Sequence, residues 1–424
     1  MTPQMIIALA ITVLMVVLIL IDKMPFGVPS LLACFLLVVF GVADIKTAFG
    51  GFSNSTIVMM ASFMAVMVGM EKTSVLLKFK RSILNIASRG GFKSYLLIIL
   101  VVMLVCSMFG SGTTAYYVFT IGFLATLPDN RALPPSKILM PAGFASNHPL
   151  IPINVAFQYG VTLVVLESVG VFTGVSYVKF MVVNFFFSLG FFLNCVIQYP
   201  LLPDHPIPPV AEEIQTEDEK PILSRNKEIF TCVCFVIAVV GMMANSYIGE
   251  AGYAVAGLSA GALMFGGVID FKEVRNAISS PIIIMSAAVV GIAETLNAVG
   301  LITLVGDAAA GMLGSDIHPF ILIFGFCILT TILTTTTGST MGTIFVLAPL
   351  AISTCIQMGL DPTAAAVAVV VAGDGGHFLP LDGMPAMVMG MGGYTLKEFW
   401  KFTVPQYFLR LLALSLGTYL MFPM

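Results

Sequence analysis

Apolar segments of about 20 residues recur along the whole chain, separated by short polar stretches. A helix of that length crosses the hydrocarbon core of a membrane, which is roughly 30 Å thick. The pattern therefore predicts an all-α polytopic membrane protein. The predicted uninterrupted membrane helices are 5–22, 27–43, 56–73, 177–200, 229–247, 251–269, 279–298 and 402–422.

Other apolar segments are interrupted in ways that predict special geometry. The runs 94–128 and 318–357 each have small, hydroxyl-rich residues at their centre, which predicts re-entrant helical hairpins. The segments 137–165 and 362–392 contain proline and glycine, which predicts broken helices. The amphipathic stretch 74–90 predicts a helix that lies on the membrane surface.

The two halves of the chain carry the same features at one spacing. The first hairpin turns at Ser111-Gly112-Thr113-Thr114 and the second at Thr337-Gly338-Ser339-Thr340, 226 positions later. The same spacing aligns residues 41–46 with residues 267–272. This agreement over a long stretch indicates an internal duplication.

The number of predicted membrane crossings determines how the two halves are oriented relative to each other. Each half has five predicted transmembrane helices and one re-entrant hairpin. Because five is odd, the second half must enter the membrane in the opposite sense. We therefore predict two inverted repeats, residues 1–202 and 229–424, joined by a cytoplasmic linker at 203–228.

Composition and charge narrow the class further. The 424 residues are 58% hydrophobic and only 10% charged, which excludes a soluble domain of any size. Loops predicted to be cytoplasmic carry sixteen Lys and Arg residues, and the external loops carry two, Lys46 and Lys179. This bias predicts a multi-pass protein of the cytoplasmic (inner or plasma) membrane with its N-terminus outside. The seven cysteines are scattered and predict neither disulfides nor a metal site.

The hairpin turns are the first candidate site. Backbone groups released from a helix cannot remain unpaired in lipid, so such a turn is enclosed in protein or lines a cavity. Oxygen atoms there suit a hard cation such as sodium, and the N–H groups that begin each second limb suit an anion. Alternatively, the small residues only let helices pack closely. The candidate substrate-binding residues of the turns are Ser111, Gly112, Thr113, Thr114, Thr337, Gly338, Ser339 and Thr340.

The two broken helices are the second candidate region. Their interruptions at 147–154 and 373–385 occupy corresponding positions, which indicates a site near the middle of the membrane. Ionisable residues at that depth are costly and tend to be functional. Either they couple transport to protons, or they hydrogen-bond the freed backbone. The candidates for proton coupling are His148, Asp374, His377 and Asp382.

Two other charged residues lie inside predicted membrane helices. Glu294 either lines the cavity or hydrogen-bonds a neighbouring helix. Arg410 lies two to three turns beyond Lys401, so we expect its long side chain to reach towards the cytoplasmic surface. Contact with an anion is the alternative for this arginine.

The sequence resembles the divalent anion:sodium symporter (DASS) family of the ion transporter superfamily over nearly its whole length. Gly51-Phe52-Ser53-Asn54-Ser55 resembles an early segment of that family. By position, the family's hairpin signature Ser-Asn-Thr corresponds to Ser111-Gly112-Thr113 and to residues 337–340, although neither turn contains asparagine. The second signature, Thr-Pro-Pro-Asn, is matched in part at 152–154 and 383–385.

The resemblance implies an elevator mechanism, in which the scaffold of a homodimer stays fixed while a hairpin-bearing transport domain carries the substrate. It also implies that the signatures bind two sodium ions with a substrate carboxylate between them. Asn154 and Pro385 thereby join the candidate substrate-binding residues. The sodium candidates are Ser111, Thr113, Asn147, Thr337, Ser339 and Asp374.

We therefore expect a secondary active transporter that takes up a small anion, such as a dicarboxylate, together with a cation, and sodium is the expected ion. The alternatives are a proton-coupled anion carrier, a cation/proton exchanger or a metalloid-oxyanion permease of the same superfamily. An enzyme is not expected, because the chain has no nucleophile–base pair or metal cluster. The expected partners are the anion, sodium ions, membrane lipid and a second copy of the chain, with no nucleic acid and no organic cofactor.

Overall fold

The structure is a computed structural model, and it describes residues 2–21, 24, 27–128, 130–172, 174–208, 223–301, 304, 317–337, 339–376, 378–380 and 383–424. Within these ranges the chain forms twenty α-helices and two short 3₁₀ turns, with no strand. The predicted all-helical class is confirmed. Three predicted site residues, Gly338, His377 and Asp382, lie outside the described residues.

The first half contains ten helices in the predicted order. They are α1 Pro3–Ile21, α2 Gly27–Val39, α3 Ile45–Ala48, α4 Ser55–Glu71, α5 Val75–Ala87, α6 Gly91–Phe109, α7 Thr114–Leu124, α8 Pro135–Ala145, α9 Ala156–Glu167 and α10 Tyr177–Gln198. The predicted surface helix is α5, which bends away from α4 by 55°. The first hairpin consists of α6 and α7, and the first broken helix consists of α8 and α9.

The second half contains the next ten described helices. They are α11 Arg225–Met243, α12 Asn245–Ile248, α13 Ala251–Phe265, α14 Phe271–Ile278, α15 Pro281–Ala298, α16 Pro319–Thr337, α17 Thr340–Gln357, α18 Thr363–Gly373, α19 Gly383–Gly392 and α20 Leu396–Met421. The second hairpin consists of α16 and α17, and the second broken helix of α18 and α19. Since α11 begins at Arg225, its charged first turn lies inside the segment that we predicted to be linker.

The helices have the length and composition of membrane spans. Six helical segments in the described ranges are long and apolar enough to cross a membrane, or seven if the bent pair α4–α5 forms one span. Five shorter apolar helices, each of 10–17 residues, accompany them. The membrane class of the chain follows from these segments, whereas the orientation of each crossing stays a prediction.

Helix boundaries recur at the spacing found in the sequence. Helix α4 begins at residue 55 and α15 at residue 281, while α7 begins at residue 114 and α17 at residue 340. Asp44 and Asp270 cap α3 and α14 in the same way, because each side chain accepts a hydrogen bond from the backbone N–H three residues later. The spacing of 226 positions found in the sequence therefore recurs in these helix starts and caps.

Helices of the two halves pack against each other in related pairs. Helix α10 packs along α20, α2 packs against α15, and α4 packs against α13. Since α2 and α13 hold the same place in their halves, as do α4 and α15, the last two contacts are equivalent. Buried apolar residues form a large cluster that includes α4, α9 and α18, and a smaller one around α5–α8 and α19.

Two glycines allow the corner before α4 to sit directly on α15. A Cβ atom at Gly51 would lie 2.0 Å from the carbonyl oxygen of Ala287, and one at Gly291 would lie 2.1 Å from that of Ala48. Both distances are far below van der Waals contact. Any side chain at either position must push the two backbones apart.

We expect Gly291→Ala to lower the free energy of unfolding by about 1–3 kcal/mol, the usual effect of overpacking a close contact. The measurement is the midpoint of thermal unfolding in detergent, followed by size-exclusion chromatography. Gly261→Ala in α13 is the matched control, because a Cβ there meets open space. Equal midpoints for the two variants would contradict the close approach of α15 to the corner.

Candidate substrate-binding site

A cavity of about 550 Å³ lies between the first hairpin turn and the helices α4 and α14. Its volume is in the range of sites for small organic molecules. None of the described residues that line it is Lys, Arg or His. The lining residues are Phe63, Met64, Met67, Val68, Glu71, Phe109, Gly110, Ser111, Gly112, Thr113, Asn154, Val155, Phe157, Gln158, Glu273, Asn276, Ala277 and Ser280.

One end of this cavity carries acidic groups and an ion pair. Glu71 is the last residue of α4 and Glu273 lies in α14, and both line the cavity. The ammonium group of Lys72 lies 2.6 Å from the carboxylate of Glu273 and donates to the carbonyl of Val268 at 2.8 Å. Helices α4 and α14 are thereby linked beside the cavity.

The first hairpin turn has a backbone that only glycine adopts without strain. Gly110 has a φ of +86° and Gly112 a φ of +76°. The carbonyl groups that end α6 are both paired with side chains: Asn154 donates to the oxygen of Met108 at 2.7 Å, and Thr113 donates to the oxygen of Phe109 at 2.8 Å. These two carbonyl groups are therefore paired inside the protein, while Ser111, Gly112 and Thr113 line the cavity, which are the two arrangements open to a non-helical backbone in a membrane protein.

The first turn meets both broken helices. The backbone N–H of Gly112 donates to the side-chain oxygen of Asn147, which follows α8. The amide nitrogen of Asn147 donates to the backbone oxygen of Asp374, which follows α18, at 3.3 Å. Gln158, in the first turn of α9, donates to the carboxylate of Asp374. These contacts bring the first turn, the first break and the second break together at one point.

Asp374 lies at the centre of this group. A Cβ atom at Gly112 would lie 3.8 Å and 3.9 Å from the two carboxylate oxygens of Asp374. The carboxylate therefore faces the tip of the hairpin. Of the predicted site residues, Ser111, Gly112, Thr113 and Asn154 line the cavity, and Asn147 and Asp374 contact them or their neighbours.

The described residues on either side of Gly338 in the second hairpin turn form their own hydrogen bonds. The hydroxyl of Ser339 accepts from the N–H of Gly342 at 3.2 Å and caps α17. The hydroxyl of Thr337 donates to the carbonyl of Leu333 at 2.7 Å. A methyl group of Thr340 would lie 3.6 Å from a Cβ atom at Gly373, one residue before Asp374. The second turn thus reaches the second break, although its described residues do not line the 550 Å³ cavity.

Two further predicted site residues lie away from the cavity. Thr114 is the first residue of α7 and is exposed, whereas Pro385 is buried in α19. Neither belongs to the described lining. Their proposed contact with substrate stays a prediction.

His148 is buried and hydrogen-bonded through both ring nitrogens. Its Nδ1 lies 2.7 Å from the carbonyl oxygen of Phe144, and its Nε2 lies 3.0 Å from Nη1 of Arg410. A carbonyl only accepts and a guanidinium only donates, so Nδ1 carries the hydrogen and Nε2 accepts. This arrangement needs a neutral imidazole.

Arg410 does not reach towards the cytoplasmic surface. The side chain is 1% exposed and also donates from Nη2 to the backbone oxygen of Gly375 at 2.8 Å. Our expectation from its distance to Lys401 was wrong, because two acceptors in the broken segments hold the guanidinium inside the protein. Sequence reasoning also missed Gln158, whose signal was an amide inside an otherwise apolar segment.

The fold is similar to two solved transporter structures. The YdaH transporter of Alcanivorax borkumensis superposes with a TM-score of 0.62 at 15% identity, over 92% of this chain and 90% of that chain. MtrF of Neisseria gonorrhoeae, described as one of a class of antimetabolite efflux pumps, superposes with a TM-score of 0.55 at 11% identity, over 99% and 94%. Both likenesses concern the fold alone.

Comparison of the sequence with curated proteins gives no match. The family model described as citrate transporter (CitMHS) matches residues 16–372, which is far more than half of the chain. This match confirms the resemblance to the ion transporter superfamily that the hairpin and break motifs indicated. The protein is therefore a membrane transporter of the secondary type and belongs to the CitMHS citrate transporter family.

Proposed function

We propose that the protein carries a small carboxylate, with citrate as the first candidate, together with a cation, and that sodium is the coupling ion. The observation that carries this proposal is the meeting of the first hairpin turn with both broken helices at Asp374, beside a cavity without a basic lining residue. The family description supports the choice of citrate. Because the first turn, the first break and the second break all meet at Asp374, they support one shared site for the substrate and the ion.

Charge balance supports coupling to a cation. Glu71 lines the cavity, Asp374 lies beside it, and Glu273 is already paired with Lys72, so the described lining offers no cation to offset the charge of a carboxylate that enters alone. Backbone N–H groups at the start of α7 attract an anion but supply only a partial positive charge. A cation that binds with the carboxylate supplies the missing charge. Each ligand then raises the affinity for the other, which is the basis of coupled transport.

The donor groups at the breaks fit a hard cation. Helices α8 and α18 both end at the site, and the C-terminal ends of half-helices and unwound carbonyls bind Na⁺ in other secondary transporters. The proposed ligands at the first turn are oxygen atoms of Ser111, Thr113, Asn147 and Asp374. At the second turn, the proposed sodium ligands are oxygen atoms of Thr337 and Ser339.

We further propose that the halves are inverted repeats and that transport follows an elevator mechanism in a homodimer. The equivalent pairs α2–α15 and α4–α13 support a two-fold relation between the halves. The position of the cavity between the first hairpin and α4 supports relative movement at that boundary. In the predicted orientation the Lys72 end of the cavity faces the cytoplasm, which corresponds to an inward-facing state.

Purified protein in liposomes tests the proposal. We expect uptake of labelled citrate that is stimulated by an inward sodium gradient, with succinate and sulfate as competitors. Proton gradients and external Mg²⁺ are varied separately, because a proton or a citrate-bound metal ion can also supply the positive charge. Uptake that ignores sodium but follows the proton gradient favours the proton-coupled alternative. If labelled citrate instead leaves the liposomes when a sodium or proton gradient is imposed, the result favours efflux, the activity described for MtrF.

We expect Gly112→Val to reduce citrate transport at least 10-fold while the protein still folds. The substitution strains a backbone with positive φ by about 1–2 kcal/mol and places methyl groups against the carboxylate of Asp374. Gly41→Val is the matched control, because Gly41 has a φ of +68° with open space around its Cβ position. The measurement is the initial uptake rate per folded protein. Equal rates in the two variants would remove the first turn from the site.

We expect Asp374→Asn to raise the sodium concentration for half-maximal transport by about 10-fold, since a neutral amide replaces a carboxylate ligand worth roughly 1.4 kcal/mol or more. Asp361→Asn is the control, because Asp361 is exposed and caps the turn before α18. Sodium titration of the uptake rate measures the effect. A sodium dependence that is unchanged in Asp374→Asn contradicts a role of this carboxylate in cation binding.

A further inference from the structure

Arg410 is a buried positive charge in α20, at a position that we predicted to lie in a membrane helix, although α20 is not among the described helices that are long and apolar enough to span a membrane. It is the largest side chain among those that are almost completely buried, at 1% exposure. Helix α20, which carries it, packs along α10, and the guanidinium lies 5.1 Å from the centre of the Phe187 ring. A buried charge is costly unless it is paired and hydrogen-bonded.

The guanidinium bonds to the ends of both broken helices. Nη1 donates to Nε2 of His148 at 3.0 Å, and Nη2 donates to the backbone oxygen of Gly375 at 2.8 Å. His148 in turn donates from Nδ1 to the oxygen of Phe144, in the last turn of α8. The C-terminal end of a helix carries a partial negative charge. Arg410 therefore contacts the backbone just beyond α18 directly and the end of α8 through His148.

The residues that precede these contacts face the candidate site. Asn147 comes directly before His148 and accepts from the N–H of Gly112. Asp374 comes directly before Gly375 and accepts from Gln158. In the first break, His148 contacts Arg410 and Asn147 contacts Gly112 of the hairpin turn. In the second break, Gly375 contacts Arg410 and Asp374 faces Gly112. The two breaks are therefore linked twice, by the hydrogen bond from Asn147 to Asp374 on the site side and through Arg410 behind it.

We propose that Arg410 is a positioning residue for transport. Its planar fork holds the two breaks at a fixed separation, so that Asn147 and Asp374 stand in register with the first hairpin turn. This inference rests on the proposed function, in that the register matters for binding of the carboxylate and its cation. Arg410 is not among the described residues that line the cavity.

His148 acts in this arrangement as a neutral link between Arg410 and α8. Its ring stacks on Phe191 with the ring centres 4.1 Å apart, which fixes its orientation. A proton added at Nε2 would remove the acceptor and place a second positive charge beside Arg410. Glutamine offers one donor and one acceptor at similar reach. The link therefore depends on the hydrogen-bond pattern and not on titration of the ring.

Transport and cysteine labelling of the same variants test the proposal. We expect Arg410→Gln to raise the citrate concentration for half-maximal uptake about 10-fold, and Arg410→Lys to have a smaller effect, because lysine keeps the charge without the fork. His148→Leu behaves like Arg410→Gln, whereas His148→Gln stays within about twofold of the wild type with an unchanged pH profile. Arg131→Gln and Arg131→Lys are the controls, since Arg131 is exposed and does not line the cavity.

The labelling experiment does not depend on the identity of the transported anion. Ser111→Cys places a thiol on the cavity wall, and the native cysteines are buried except for Cys232, which is partly exposed. We expect maleimide to label this thiol faster in the Arg410→Gln background, because Asn147 no longer holds the turn. The parent protein without Ser111→Cys supplies the background rate.

The outcomes separate this inference from the proposed function. If no tested anion is transported by the wild type, the proposed function fails while the labelling rates still report whether Arg410 orders the turn. Unchanged labelling in Arg410→Gln overturns the positioning role. So does a His148→Gln variant as impaired as His148→Leu, because it would show that the imidazole itself is required. A folded elution profile of each variant is confirmed before it is compared.

Discussion

The structure depends on one constraint: a polar backbone group at membrane depth must find a partner inside the protein. Every helix that stops inside the apolar region exposes carbonyl or N–H groups, and three such interruptions meet here. Asn154 and Thr113 pair the carbonyls that end α6, and His148 pairs the carbonyl of Phe144 at the end of α8. Arg410 pairs the carbonyl of Gly375 beyond α18. The side chains that cap the helices are thus the ones that build the site.

This constraint also explains the distribution of charge. The positive charge of Arg410 lies behind the breaks, where it faces a backbone carbonyl, and Asp374 and the start of α7 lie on the cavity side. A carboxylate on the cavity side suits a cation, and helix N–H groups suit an anion. The two kinds of ligand therefore have complementary positions within one group of residues. In the proposed function, this proximity is what couples the binding of the two ligands, without a distant link.

Much of the fold could be predicted from the sequence, because hydrophobicity, proline and glycine act locally. The hairpin turn at Gly112 and the helix break at Asp374 are signalled by residues within a few positions of each other. The contact between Arg410 and His148 spans 262 positions and has no local signal. Gln158 and Asp374 are 216 positions apart, so no local pattern in the sequence predicts their hydrogen bond either. The start of α11 was placed too late because its first turn is charged and does not look like membrane helix.

The hairpin signature lacks its asparagine in this chain. The sequence therefore predicted where the candidate site lies more easily than which groups bind there. The turn has glycine at position 112, which permits the positive φ and a close approach of Asp374 but brings no amide. A carboxamide nevertheless stands at the turn, supplied by Asn147 from the first break. An asparagine side chain within the turn would keep its position even if the broken helices moved. An amide supplied from a break is correctly placed only while the break is held, which makes the geometry at Gly112 depend on the groups behind the break.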